Sequence, residues 1–170
     1  MKNKTVVILG SSRSNGNTRR ILDEFISLSP DIDVADLNDY KIGYYHYDFK
    51  NKDDDFFNLF LKILEYDTII FATPIYWYTM SAQIKTFLDR ISDVLHGEKK
   101  VFGRKLRGKN LASISCGSND EIFDGFAMPF EQTANYLGMN YLGHMHTWLE
   151  DDSEPPNLVK DKIKEFYNNL

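Results

Sequence analysis

The first residues that could do chemistry lie in the polar stretch 10–18, which follows a short apolar run at residues 6–9. Its hydroxyl and amide side chains can donate hydrogen bonds to an anion: Ser11, Ser12, Ser14, Asn17 and Thr18. Gly16 permits close backbone approach, and Arg13 adds a charge-assisted donor. At a strand-to-helix turn the first helical N–H groups lack internal partners, and the helix dipole favours negative charge. The pattern predicts a phosphate site, with a polar loop and an ordinary N-cap as the alternative.

The spacing of the glycines narrows the kind of phosphate compound. The stretch is not Gly-x-Gly-x-x-Gly, and it does not end in the Gly-Lys-Ser/Thr of a Walker loop. Neither a dinucleotide fingerprint nor a nucleotide triphosphatase loop is therefore indicated. A ligand with a single phosphate ester fits the pattern better.

Two further segments follow apolar strand patterns and complete the predicted site. Residues 74–80 come directly after the apolar run 68–72 and offer a flat aromatic surface beside exposed backbone amides. Residues 115–118 follow another strand pattern, and their small side chains let a ring system lie close to the main chain. Together the three segments predict a planar aromatic ligand with one phosphate tail.

The elements that must position these segments alternate along the whole chain. Strand patterns occur at 5–9, 33–37, 68–72, 110–116 and 140–146, and helical patterns at 17–28, 53–66, 81–95, 123–137 and from Pro155 and Pro156 to Leu170. Five strands with intervening helices predict an α/β fold, a doubly wound parallel sheet of flavodoxin-like order 2-1-3-4-5 with helices on both faces. In such a sheet, ligands bind beyond the carboxyl ends of strands 1 and 3. We expect one domain over residues 1–170.

Three motifs together resemble the NADPH-dependent FMN reductases of flavodoxin-like fold. They are Gly10-Ser11-Ser12-Arg13-Ser14-Asn15-Gly16-Asn17-Thr18, then Pro74-Ile75-Tyr76-Trp77, then Lys85-Thr86-Phe87-Leu88-Asp89-Arg90. The resemblance implies that Ser11, Arg13, Asn17 and Thr18 hold the FMN phosphate, with Ser12 as a neighbouring donor. It also implies that Pro74, Ile75, Tyr76 and Trp77 line the isoalloxazine, and the third segment adds Ser115, Cys116 and Gly117. A homodimer is implied as well.

The resemblance also implies the chemistry. FMN would take hydride from NADPH or NADH and pass electrons to a small acceptor such as a flavin or quinone, so no catalytic side chain is required. Backbone amides at 75–78 are expected to favour negative charge on the ring. Relatives of the iron-sulfur branch carry cysteines where this chain has the aromatic segment 41–49, so cluster chemistry is not implied. That segment could cap the flavin, meet another subunit or fill a surface groove.

Composition limits the remaining function classes. A net charge of -5 and a pI near 5.3 argue against general nucleic-acid binding, and the basic residues between 99 and 109 are interpreted as a solvated connection. No apolar stretch approaches the ~18 residues of a membrane span, and no signal-peptide core is present. The single cysteine, Cys116, excludes an internal disulfide and is expected to be a small buried residue. We therefore expect a cytoplasmic protein without membrane partners.

Other residues and functions stay open at this point. His144 and His146 share one strand face, but two residues make a weak metal site, and no metal is expected. Lys85, Asp89 and Arg90 stand at helical spacings typical of a solvated ion-pair face or a subunit contact. A flavodoxin-type electron carrier without direct NAD(P)H oxidation is the main alternative function. A flavin-free domain of the same fold is the third.

Overall fold

The computed structural model describes residues 4–150 and 153–170 and contains one parallel β-sheet. Its strands are β1 (Thr5–Leu9), β2 (Ile32–Asp36), β3 (Thr68–Pro74), β4 (Asn110–Gly117) and β5 (Asn140–Trp148). The strand order is β2-β1-β3-β4-β5, and every pairing is parallel. The predicted flavodoxin-like topology is confirmed.

Helices cover both faces of the sheet. They are α1 (Asn17–Ile26), α2 (Phe56–Ile63), α3 (Ala82–Arg90), α4 (Lys100–Gly103), α5 (Met128–Leu137) and α6 (Asn157–Asn168). Helices α1 and α6 pack on one face, against Val7, Leu9 and Ile70, whereas α2, α3 and α5 pack on the other, against Ile8 and Phe71. Because β1 and β3 are covered on both faces, their side chains are apolar almost without interruption.

Several helices are shorter than the sequence pattern predicts. Helix α2 begins at Phe56, because the preceding acidic residues take other partners: Asp54 accepts from the Phe56 amide at 3.0 Å and Asp55 from the Lys41 amide at 2.7 Å. Helix α5 begins at Met128, which places Pro129 in its first turn, where proline is tolerated. The chain between β4 and α5 is consequently a long loop.

The basic connection between α3 and β4 is more ordered than predicted. It contains α4, and two of its lysines lie over aromatic rings, with Lys99 Nζ 4.1 Å from the Phe57 ring centre and Lys105 Nζ 5.6 Å from that of Phe102. Lys109 donates to the Tyr66 carbonyl at 2.5 Å. Lys99, Lys105 and Lys109 therefore hold the connection against the domain through cation–π contacts and a backbone hydrogen bond. Its other basic side chains, Lys100, Arg104 and Arg107, are exposed, as expected of a solvated connection.

Arg90 is the clearest departure from the sequence-based expectation. Lys85 and Asp89 form the predicted surface ion pair at 2.6 Å, but Arg90 is only 2% exposed. Its guanidinium donates to Asp54 at 2.5 Å, to Asp93 at 2.7 Å and to the Gly43 carbonyl at 2.8 Å. Arg90 therefore ties the segment after β2 to the end of α3.

Within the described residues, no helix is long and apolar enough to cross a membrane.

Candidate functional site

A cavity of about 410 Å³ opens beyond the carboxyl ends of β1, β3 and β4. The three segments singled out in the sequence meet there. Its walls are formed by Ser11, Arg13, Gly16, Asn17, Thr18, Pro74, Ile75, Tyr76, Cys116, Gly117 and Ser118, with Leu149 and Glu150 after β5. Another cavity, of about 360 Å³, lies at the opposite sheet edge beside Thr5 and Thr68, where open parallel sheets do not place their ligands.

The loop between β1 and α1 forms what we call the phosphate end of the cavity, residues 11–18. Gly16 occupies the N-cap position of α1, and it has no side chain with which to cap the helix. The N-cap residue therefore gives the first turn of α1 no side-chain cap, and the helix dipole favours an anion near this end. No acidic residue stands in the first turn, and Arg13 supplies positive charge on the cavity wall. This end is suited to an anion.

Side chains from distant segments fix the shape of the phosphate end. The Asn38 amide donates to the Ser11 carbonyl at 2.8 Å and to the Ser14 hydroxyl at 3.2 Å. The Asn17 amide donates to the Leu149 carbonyl at 2.9 Å, which joins α1 to the segment after β5. Sequence reasoning missed Asn38 and the Leu149 segment, because nothing in the local pattern around either residue points to the phosphate loop.

Gly10 is required by packing rather than by the ligand. A Cβ at this position would lie 2.5 Å from the Cγ1 atom of Ile84 in α3. The Gly10 amide donates to the Ala72 carbonyl at 2.9 Å. The glycine therefore lets the end of β1 and the start of α3 approach closely, directly before the phosphate loop begins.

The opposite wall comes from the turn at residues 74–80. The backbones of Tyr76 and Thr79 exchange two hydrogen bonds, of 2.9 and 3.2 Å, and the two residues between them have positive φ: 48° at Trp77 and 67° at Tyr78. Side chains other than glycine rarely adopt this conformation. The turn presents Trp77, which is 90% exposed and does not line the cavity.

The amides of this turn differ from the sequence-based expectation. The Ile75 amide donates to the Cys116 carbonyl at 3.0 Å, and the Tyr76 amide is used within the turn. Two of the four amides expected to favour negative charge on a ring are therefore already occupied. Those of Trp77 and Tyr78 make no backbone hydrogen bond within residues 4–150 and 153–170.

The end of β4 completes the cavity wall. Gly117 and the exposed Ser118 border the cavity, and Cys116 reaches it from a buried position. Burial raises the pKa of the Cys116 thiol to about 11, so the thiol stays protonated at neutral pH and is a weak nucleophile. Ser115 is fully buried behind this wall. We call the group Pro74, Ile75, Tyr76, Cys116, Gly117 and Ser118 the ring end of the cavity.

The structure brings together nine of the twelve residues predicted to bind the cofactor. Ser12 is exposed outside the cavity, Trp77 projects into solvent and Ser115 lies behind the wall, whereas the others line it. Their roles toward a ligand stay predictions. In the described part of the chain no three His, Cys, Asp or Glu side chains come together as metal ligands do.

The residues present fit FMN. The phosphate end offers amides at a helix N-terminus, an arginine and hydroxyl groups, which are the donors that a phosphate monoester accepts from. The ring end offers proline, isoleucine and tyrosine side chains beside a nearly bare backbone at Gly117. A flat ring can lie against such a surface.

Comparison with solved structures supports the fold. The Trp repressor binding protein from Bacillus subtilis superposes with a TM-score of 0.74 at 24% identity, covering 98% of this chain and 97% of that chain. General stress protein 14 from Treponema denticola, solved in complex with FMN, superposes with a TM-score of 0.66 at 19% identity, covering 97% and 96%. At these identities the likeness concerns the fold alone.

Comparison of sequences identifies the family. The chain is 28% identical over 171 residues to YwqN of Bacillus subtilis strain 168, covering 93% of this chain and 90% of the relative, whose own assignment as an NAD(P)H-dependent FMN-containing oxidoreductase is provisional. The model of the family described as NADPH-dependent FMN reductase matches residues 3–153. The enzyme class, the FMN cofactor and the nicotinamide donor implied by the resemblance are thereby confirmed. The chain belongs to the NADPH-dependent FMN reductase family.

Proposed function

We propose that this protein is an FMN-dependent NAD(P)H oxidoreductase that passes electrons to a small planar acceptor, such as a flavin or a quinone. One observation carries the proposal: three segments far apart in the sequence line a single cavity with anion donors at one end and flat apolar walls at the other. When bound, FMN supplies the redox chemistry by accepting hydride from the nicotinamide and passing electrons to the acceptor. The protein residues bind and orient it.

The phosphate end would hold the FMN phosphate. Arg13 would give it charge-assisted hydrogen bonds, while Ser11, Thr18 and the first amides of α1 donate from the other side. The Asn17 amide would act mainly by holding the Leu149 segment against α1, since it already donates to that carbonyl. Ser12 would reach the phosphate only by a change of side-chain direction.

The ring end would hold the isoalloxazine with one face open. Pro74, Ile75 and Tyr76 would line one edge, and the backbone at Gly117 would line the other. The neutral Cys116 thiol would serve as a small apolar wall and not as a nucleophile. Trp77, exposed at the tip of its turn, would meet the nicotinamide or the acceptor on the open side of the site.

We also propose that the chain acts as a single FMN-binding domain and a cytoplasmic homodimer. The exposed aromatic side chains at Tyr44, Tyr47 and Trp77 support contact with a second copy. Light scattering of the FMN-loaded protein tests this assembly. A monomeric mass would contradict the homodimer without affecting the proposed chemistry.

Anaerobic absorbance titration tests the reaction directly. FMN-loaded protein is titrated with NADH and then with NADPH, and air or a quinone is then admitted. We expect the visible absorption band of the flavin to bleach rapidly with a nicotinamide and to return when air or the quinone reoxidises the flavin. Bound flavin that resists both nicotinamides would favour an electron carrier, and failure to retain FMN would contradict the assignment of the phosphate end.

A further inference from the structure

The loop after β4, residues 118–127, borders the ring end and contacts two histidines of β5. We call it the post-β4 loop. Ser118 lines the cavity, and the loop has no helix or strand of its own. His144 and His146 both face it; His146 is buried and His144 is half-buried. Neither histidine touches the cavity, so the proposed reaction does not use them.

The two histidines belong to one hydrogen-bonded chain. Ser113 Oγ lies 2.8 Å from His144 Nδ1, and His144 Nε2 lies 3.0 Å from Ser115 Oγ. Ser115 Oγ lies 2.8 Å from His146 Nδ1, and His146 Nε2 lies 3.1 Å from the Asn119 carbonyl oxygen. Four contacts thus connect the middle of β4 to the second residue of the post-β4 loop.

The carbonyl at the end of the chain fixes the direction of every hydrogen bond. A carbonyl oxygen can only accept, so His146 must donate from Nε2, and its Nδ1 is then an acceptor in the neutral ring. Ser115 donates its one hydroxyl proton to that Nδ1 and accepts from His144 Nε2. His144 Nδ1 in turn accepts from Ser113. Both histidines therefore carry their proton on Nε2.

The same carbonyl excludes a proton relay. A relay needs a group at each end that can take up and release a proton, and a backbone carbonyl does not do this near neutral pH. At the Asn119 end, next to the site, the chain of hydrogen bonds stops on main chain and not on a titratable group or on the cavity. Its effect must be to hold the backbone at Asn119.

Two further contacts bind the loop to the same histidines. The ring of Phe126, near the far end of the loop, lies 5.3 Å from that of His144, centre to centre, and Phe126 is buried. The His146 ring packs on the main chain at Gly117, where a Cβ would lie 3.1 Å from its Cε1 atom. Both ends of the loop are therefore anchored on β5.

We propose that His146 is a positioning residue for the flavin: through its Nε2–H bond to Asn119, in a tautomer set by Ser115 and His144, it holds the post-β4 loop at the ring end of the site. This inference rests on the proposed FMN site for its effect on the cofactor. Its effect on the loop does not depend on FMN.

The charges around His146 are consistent with a neutral ring. Burial lowers the pKa of His146 below its usual value, and Lys162 of α6 lowers it further, whereas the Asn119 carbonyl and Asp120 of the loop oppose the shift. Burial, together with a smaller electrostatic interaction with His146, also lowers the pKa of His144 to about 4. The residues that face the rings from β4, Ser113 and Ser115, are uncharged.

Imidazole nitrogen NMR on the flavin-free protein tests the chain without any substitution. Near pH 7.5 we expect both rings to be neutral and protonated at Nε2, with no detectable Nδ1-protonated form. An Nδ1-protonated His146 would overturn the proposal, because that ring could not donate to Asn119. The exposed His96 serves as an internal reference, since the usual mixture of tautomers is expected there.

Amide hydrogen exchange tests the positioning. Two amides report on the loop: Phe126 donates to the Phe123 carbonyl at 3.1 Å, and Glu121 to Asn119 Oδ1 at 3.2 Å. Gly10, bonded to the Ala72 carbonyl, reports on the sheet. His146→Leu should speed exchange of the two loop amides about tenfold and leave Gly10 within about twofold, as the loss of one anchoring hydrogen bond predicts.

His146→Gln separates this role from simple core packing. Glutamine can donate from its amide nitrogen to the Asn119 carbonyl but does not fill the space of the ring equally. We expect it to restore slow exchange in the loop, with His96→Gln as the control that removes an unrelated histidine. Fast loop exchange in His146→Gln, unchanged exchange in His146→Leu, or equal loss of protection at Gly10 would each overturn the proposal.

FMN then reports on the site itself. His146→Leu should shift the visible absorption spectrum of bound flavin and weaken FMN and riboflavin to the same degree, about fivefold, because the loop borders the ring and not the phosphate. Unchanged affinity and spectrum, despite a mobile loop, would overturn the link to the flavin. A wild-type protein that binds no flavin would contradict the proposed function, whereas the tautomer and exchange results would still decide whether His146 holds the loop.

Discussion

The phosphate end and the ring end border one cavity, and both are held by hydrogen bonds from distant segments, but the phosphate loop is also closed by short-range contacts of its own. Much of the phosphate loop is closed by its own residues: the Arg13 amide donates to Ser11 Oγ at 3.4 Å, and the Gly16 amide to the Arg13 carbonyl at 3.3 Å. The ring end depends on residues about 30 positions away, since Ser115 contacts His144 and His146 on β5. Contacts between residues close in sequence leave a recognisable motif, whereas contacts between distant residues do not.

The two ends also differ in charge. Arg13 and the N-terminus of α1 bring positive charge to the phosphate end, and Glu150 borders the same cavity. Behind the ring end, the histidines are kept neutral by burial. The first arrangement should therefore respond to removal of a phosphate from the ligand, and the second to pH.

The largest expected effect is a loss of folding stability in acid, which arises from the histidines behind the ring end. Burial lowers the pKa of His144 from 6.5 to about 4. Between these values the unfolded chain binds a proton that the folded chain does not, so the free energy of unfolding falls as pH drops from about 6.5 to 4. The shift corresponds to a loss on the order of 3 kcal/mol. Urea denaturation at pH 7.5, 5.5 and 4.5 measures it.

A variant isolates the contribution of this histidine from that of carboxylates that titrate at the lower end of the range. His144→Gln removes the titrating group, so its stability should depend less steeply on pH between 6.5 and 4.5. His96→Gln, which changes an exposed histidine, should keep the wild-type dependence. Identical pH profiles for wild type and His144→Gln would show that the buried ring is not the source.

Arg13→Ala tests the phosphate end and should give the next largest effect. If Arg13 makes a charge-assisted bond to the phosphate, its removal should weaken FMN by about 1.5 to 3 kcal/mol. Riboflavin, which lacks the phosphate, should bind wild type and variant equally. Fluorescence quenching measures both affinities. Arg19→Ala is the matched control, because Arg19 lies on α1 outside the cavity and pairs with Asp23 at 2.8 Å.

An equal loss for FMN and riboflavin would argue against a phosphate contact and for a general disturbance of the loop. An unchanged FMN affinity would remove Arg13 from the site. Riboflavin also shows whether the two ends act independently: equal affinity for wild type and Arg13→Ala means that they do, and weaker binding to the variant means that they do not.

The sequence predicted the fold and the phosphate loop because both leave local signals. Apolar runs such as residues 68–72 identify central strands, and the glycine and hydroxyl spacing of residues 10–18 identifies the turn into α1. Family membership was recognised from the same short motifs. Each of these signals lies within one element and its adjoining turn.

The histidine network and the Arg90 cluster could not be predicted in the same way. His144 and His146 are two positions apart on β5, a spacing that any two neighbours on one strand face have. Their partners become apparent only when β4 pairs with β5. Arg90 stands one residue after Asp89 in a surface-like helical pattern, but its partner Asp54 is 36 residues earlier. Hydrophobic periodicity does not reveal that a polar residue is buried when the partner that compensates its burial is distant in the sequence.

The turn at residues 74–80, which forms part of the ring end, should give the smallest effect. Tyr78 holds a left-handed backbone conformation, φ 67°, while its ring packs edge-on against Phe123 of the post-β4 loop at 4.7 Å. Tyr78→Ala and Tyr78→Gly both remove the ring contact, but only glycine adopts this φ without strain. We therefore expect Tyr78→Gly to be more stable than Tyr78→Ala by about 1 kcal/mol in urea denaturation. Equal stabilities would mean that the turn relaxes when the ring is removed, and hence that the Phe123 contact, and not the turn, imposes the conformation. In that case a long-range contact from the post-β4 loop would determine the backbone conformation of a turn that was predicted from its own sequence motif.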